Sequence, residues 1–92
     1  MSELRRRVTI VNKRGLHARA SAKFVGAVSA LPGETDVRVA KDGTEAAGGS
    51  ILGLMMLGAA RGDEIELIVS GDNAQSVMDD LATLVENGFG EE

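Results

Sequence analysis

The one histidine of the chain, His17, is its most obvious chemical group. There is no cysteine, tyrosine or tryptophan, and histidine is the only side-chain type whose ordinary pKa lies near neutrality. A neutral imidazole nitrogen is a nucleophile and can form a covalent bond to a transferred group. His17 sits in Gly15-Leu16-His17-Ala18-Arg19, and the amphipathic run after it predicts a helix that begins at once. In that position the ring lies beside the unpaired N–H groups of a first helical turn and the positive end of the helix dipole. Arg19 adds a charge and a planar fork of donors, although a cation at a helix N-terminus is mildly unfavourable unless an anion joins it. Together these groups form an anion site, and phosphate is the anion that fits best.

Other classes of chemistry fit less well. One histidine without cysteine offers poor metal ligation, so no metal is expected. Seven of the ten basic residues (Arg5, Arg6, Arg7, Lys13, Arg14, Arg19, Lys23) fall in the first quarter, and none follows Arg61. This asymmetry predicts a basic face near His17 and an acidic back. The net charge of −4 and the lack of stacking aromatics beyond Phe24 and Phe89 argue against nucleic acid. The longest apolar run, Ile51 to Ala60, is broken by glycines and too short to span a bilayer. The expectation is a single domain over residues 1–92 with an aliphatic core, monomeric and cytoplasmic, without cofactor or membrane insertion.

The elements that must position His17 can be read from periodicity. Arg5 to Val11 predicts a strand with Val8 and Ile10 inward, and Asn12 to Gly15 a turn. Ala18 to about Ala30 predicts a helix with Phe24, Val28 and Leu31 on its inner face, ended by Pro32-Gly33. Thr35 to Ala40 and Thr44 to Gly48 read as a hairpin around Asp42-Gly43. Ile51 to Leu57 reads as a short helix with Ser50 as N-cap and Gly58 near its end. Leu54 and Leu57 are expected inward, leaving some of Ile51, Leu52, Met55 and Met56 exposed. Glu64 to Ser70 alternates as a strand with Ile65, Leu67 and Val69 inward. Asp72 and Gln75 resemble a capping box before a last helix marked by Val77, Leu81 and Leu84, which stops at Asn87-Gly88. The order β-α-β-β-α-β-α implies an α+β open-faced sandwich: a four-stranded antiparallel sheet with three helices on one face.

Two blocks, Gly15 to Arg19 followed by Ala22-Lys23-Phe24-Val25, and Ser50 to Gly58, stand in this order of elements. Together they resemble the HPr family, the histidine-containing phosphocarriers of the bacterial phosphoenolpyruvate-dependent phosphotransferase system. The resemblance implies that His17 is phosphorylated on Nδ1 by phosphorylated enzyme I and passes the group to an EIIA domain, with no stand-alone turnover. Arg19 and the backbone N–H groups of Ala18 and Arg19 would hold the phosphoryl oxygens. Ala20, Lys23, Ile51, Leu52, Met55 and Met56 would form the partner-docking surface. Ser50 matches the family's regulatory serine, a target of HPr kinase/phosphorylase in some bacteria. Where the family usually has proline after the arginine, this chain has Ala20, which loosens the first turn without removing a chemical group. Sugar uptake and a nitrogen-related regulatory branch both remain open. A different reading is a regulatory binding protein controlled through Ser50 without phosphoryl transfer, against which His17 counts. A small-molecule-sensing α+β domain would need an enclosed pocket that so short a chain has little room to build.

Overall fold

The structure is a computed structural model that describes residues 3–31 and 34–91. In chain order the elements are β1 (Glu3–Thr9), α1 (Ala18–Ser29), β2 (Thr35–Lys41), β3 (Thr44–Ala47), α2 (Ile51–Met56), β4 (Glu64–Gly71) and α3 (Ala74–Glu86), followed by a 3-10 turn at Gly88–Gly90. The strands form one antiparallel sheet in the order β1-β4-β2-β3. Alternation along β4 sends Ile65, Leu67 and Val69 to one face, where Val8, Val37 and Val39 join them. Onto that face the helices pack Phe24, Leu54, Val77, Met78, Leu81 and Val85, which makes the open-faced α+β sandwich expected from the pattern. The β2–β3 hairpin turns on Asp42 and Gly43, both at positive φ (51° and 83°), the two-residue geometry that matches strand twist.

The differences from expectation have local causes. Ile10 is buried as expected but leaves the ladder. Its N–H donates to the Asp63 carbonyl at 2.9 Å and its carbonyl accepts from the Gly62 N–H at 2.8 Å, so β1 ends at Thr9. The capping box is absent: α3 begins after Asn73, which is left-handed (φ 56°) and makes no side-chain cap, while Gln75 donates to Asp79 at 3.1 Å. Asp72 is engaged instead by its backbone, its N–H donating to the Glu34 carbonyl at 3.4 Å and its own carbonyl accepting from the Thr35 hydroxyl at 3.0 Å. The expected stop at Pro32-Gly33 lies outside the described residues.

The arginine triplet is paired, and it does not gather at His17 as the charge asymmetry predicts. Arg6 points to the helical side and meets Asp79 of α3 at 2.8 Å. Arg5 meets Glu3 at 2.9 Å and Glu66 at 3.0 Å, and Arg7 lies 3.8 Å from Glu64 on the outer face of the sheet. At the centre of that outer face Ile68 is fully buried, although it takes no part in the core beneath the helices. Its cross-strand neighbours are Arg5 on β1 and Arg38 on β2, whose aliphatic stems flank it. Glu3 ties the two guanidinium groups together, reaching Arg38 at 2.7 Å.

Candidate functional site

The loop between β1 and α1 is pinned before it reaches His17. Asn12 is buried, and its side-chain amide donates to the Gly15 carbonyl at 2.8 Å while the Gly15 N–H returns to the Asn12 carbonyl at 3.2 Å. Gly15 has φ +64°, and a side chain there would run into the Ala59 carbonyl, so the position demands glycine twice over. The next residue, Leu16, is buried and donates its N–H to that same carbonyl at 3.0 Å. His17 therefore leaves a turn that is fixed on both sides.

His17 is itself the N-cap of α1, with extended backbone (φ −77°, ψ −177°). Its carbonyl accepts the Ser21 N–H at 2.9 Å, and its Nδ1 accepts the Arg19 N–H at 3.3 Å. The other ring nitrogen, Nε2, lies 3.0 and 3.1 Å from the two carboxylate oxygens of Glu91. An ionised carboxylate only accepts and a backbone N–H only donates, so the two contacts select one tautomer. In the neutral ring the proton is on Nε2 and the lone pair on Nδ1.

Glu91 arrives there by way of an irregular segment. After α3, Gly88, Phe89 and Gly90 all take positive φ (63°, 58° and 74°), and Phe89 is driven into the core at 1% exposure. A non-glycine residue in that region is uncommon, and here burial of the ring offsets the conformational cost. The Lys23 ammonium donates to the Phe89 carbonyl at 2.8 Å, and the Asn12 amide donates to Glu91 at 3.2 Å. Both acceptors of the Asn12 amide lack protons, which fixes its orientation. The hydrogen bond from His17, helped by that from Asn12 and by the nearby Lys23 charge, holds the Glu91 carboxyl below the usual carboxylate range.

Around the ring lies a shallow cleft lined, among the described residues, by Lys13, Arg14, His17, Arg19, Lys23, Gly90 and Glu91, four cationic side chains to one carboxylate. The basic face near His17 thus draws on the loop and α1, while Arg5 to Arg7 are spent on the sheet and α3. Arg19 is exposed, and its first-turn N–H stands beside the ring. Ser50 caps α2, its hydroxyl accepting the Gly53 N–H at 3.0 Å. Beyond it Ile51, Leu52, Met55 and Met56 are all exposed, with Leu52 and Met56 at 67% and 76%, while Leu54 and Leu57 are buried as expected. Ala20 is a correction: it is fully buried, one helical turn before Phe24 on the same inward stripe, and offers no side-chain surface to a partner. Sequence reasoning read Asn12 only as a turn signal and did not find Glu91. The one available sign was Gly88-Phe89-Gly90, an aromatic between two glycines just past a helix end.

Comparison with known proteins places the chain in a family. Residues 4–87 match the protein family described as PTS HPr component phosphorylation site. The phosphocarrier protein HPr of Pseudomonas putida is 43% identical over 86 residues, covering 94% of each chain. The phosphocarrier protein NPr of Shewanella violacea is 37% identical, over 99% of this chain and 98% of its own. The crystal structure of HPr-C-His from Thermoanaerobacter tengcongensis superposes with a TM-score of 0.86 at 37% identity, covering 100% of this chain and 99% of that one.

Proposed function

The chain belongs to the HPr family, the phosphocarriers of the phosphotransferase system, and from that premise we propose that His17 accepts a phosphoryl group on Nδ1 from phosphorylated enzyme I and passes it to an EIIA domain. Members of this family are carriers and not stand-alone enzymes. The observation that carries the assignment to His17 is the ring's environment: Nδ1 holds the lone pair at the head of α1, inside a cleft with four cationic side chains.

In the forward step the Nδ1 lone pair forms the bond to phosphorus as the donor's bond to phosphorus breaks, and that electron pair stays with the donor. Nδ1 can then no longer accept the Arg19 N–H, which is released to a phosphoryl oxygen. The Ala18 N–H and the Arg19 guanidinium supply further donors, and Lys13, Arg14 and Lys23 add positive field. These groups are more valuable to a carrier when they hold the group in transfer better than at rest, because binding both equally leaves the onward barrier unchanged and holding the resting group tighter would raise it.

Docking falls to Ile51, Leu52, Met55 and Met56, whose exposed apolar and flexible side chains suit several partners, together with Lys23 at the cleft. Ser50 stands at the head of this surface. Phosphorylation there would put a dianion into an apolar contact, a brake on docking that leaves His17 chemically intact. The setting is cytoplasmic, where enzyme I and EIIA meet the carrier, in sugar uptake, regulation or both.

The test is to incubate the chain with phosphoenolpyruvate and enzyme I and to weigh the product. One phosphate is expected, lost in acid and stable in base, and absent from His17→Ala. Undiminished labelling of that variant would sink the assignment.

A further inference from the structure

The contact that the family assignment does not absorb is the one on the far side of the ring. Glu91 approaches Nε2 with both carboxylate oxygens, at 3.0 and 3.1 Å, and its side chain is only 16% exposed. It is held there from two directions. Asn12, itself buried and braced against Gly15, donates to Glu91 at 3.2 Å, and the buried Phe89 anchors the chain two residues before it. The Lys23 ammonium closes the same segment through the Phe89 carbonyl. The arrangement is a built contact between a carboxylate and an imidazole N–H, opposite the nitrogen that bonds to phosphorus.

We propose that Glu91 is a positioning residue for phosphoryl transfer, holding the ring so that Nδ1 faces the incoming group and keeping the proton on Nε2 while Nδ1 is phosphorylated. The proposal rests on His17 being the phosphoryl acceptor. When the Nδ1–P bond forms, the ring keeps its Nε2 proton and becomes formally cationic, and the adjacent carboxylate favours that charged form. On onward transfer the Nδ1–P bond breaks, its electron pair returns to Nδ1, and neutral imidazole is left with its proton still on Nε2. No proton has to move in either direction. If the phosphorylated ring lost the Nε2 proton, the same cleavage would have to expel an imidazolate anion, a far poorer leaving group. Glu91 thus keeps the carried group transferable. Among the described residues the other charged groups around the pair are Lys13 and Arg14 from the loop and Arg19 and Lys23 from α1, all cationic, and Glu91 supplies the negative charge.

The experiment uses the full chain, the parent beside Glu91→Gln and Glu91→Ala, each phosphorylated through enzyme I. Phosphorus NMR follows the pH at which the phosphorylated ring loses its proton, and mixing with EIIA gives the onward rate. Glutamine keeps an acceptor but not the charge, so in Glu91→Gln the midpoint is expected to fall by about one pH unit, the shift of an ordinary charge-assisted hydrogen bond. Onward transfer at pH 7 is expected to slow about fivefold on the same basis. Glu91→Ala is expected to move both readouts at least as far. A purely structural role would lower thermal stability and leave the midpoint in place, and equal midpoints in a parent and variants that load normally overturn the role of Glu91. A parent that takes up no phosphoryl group on His17 overturns the carrier assignment itself, and this proposal with it.

Discussion

At the scale of single residues, the candidate site shows which contacts lie in local sequence. His17 and Arg19 are two positions apart, and the N-cap geometry that brings the Arg19 N–H to Nδ1 is a property of one helical turn, so composition and periodicity were enough to single them out. Glu91 is 74 positions from the ring it touches, at the end of a segment whose backbone lies in the left-handed region. Nothing in a periodic pattern reports such a path. The contact has a consequence for stability. Glu91 titrates below the ordinary carboxylate range because His17, first of all, hydrogen-bonds its charged form. A depressed carboxyl contributes stability above its unfolded pKa, near about 4.3, and loses it as pH falls through the lower folded value. Thermal unfolding of the parent and of Glu91→Gln should therefore show a gap at neutral pH that closes below about pH 4. A gap that persisted undiminished in that acid range would mean that the ionised carboxylate is not what stabilises the fold.

Among the elements, strands and helices with one strong periodicity were readable and the caps were not. Thr35–Lys41 alternates cleanly and its inward residues are the buried ones, and along Glu64–Gly71 the one break in that rule is Ile68, buried on the outer face. In α1 the inward stripe starts at Ala20 and not at Phe24, so the docking role that the resemblance implies for Ala20 falls on a side chain that is packed away. The start of α3 was misplaced because the Asp72 and Gln75 pair has the spacing of a capping box, whereas the backbone hydrogen bonds of Asp72 to Glu34 and Thr35 carry the chain one residue further. The short α2 makes a sharper prediction. With only six residues it depends on its cap, so Ser50→Ala is expected to cost about 1 kcal/mol by denaturant unfolding. Ser50→Asp, whose carboxylate also caps, should stay within about 0.5 kcal/mol of the parent. If the alanine variant were as stable as the parent, the Ser50 hydroxyl would not be what holds the helix that presents Ile51 to Met56.

On the scale of the whole molecule, the sheet has a covering on both faces. Three helices cover one face, and on the other arginine stems and carboxylates close over Ile68. Ile68→Ala is accordingly expected to cost about 2–3 kcal/mol, as a core truncation does, although the residue faces away from the helices. Urea unfolding measures it, and a loss below about 1 kcal/mol would show that the outer layer is not packed. The pattern of charges foretold a basic side to the molecule, yet only the groups on the loop and α1 gather at the cleft, because strand alternation divides Arg5, Arg6 and Arg7 between two faces.

That triplet also bears on how copies of the chain behave toward one another. β1 is an outer strand of the sheet, and among the described elements β4 is its one ladder partner. An unpaired edge is a template on which another strand can add, and runaway addition is how sheets aggregate. Two such edges coming together would set one arginine triplet against another and would have to displace the carboxylates already bound to them. The charges that hold the outer face together therefore also keep the edge from recruiting a second sheet.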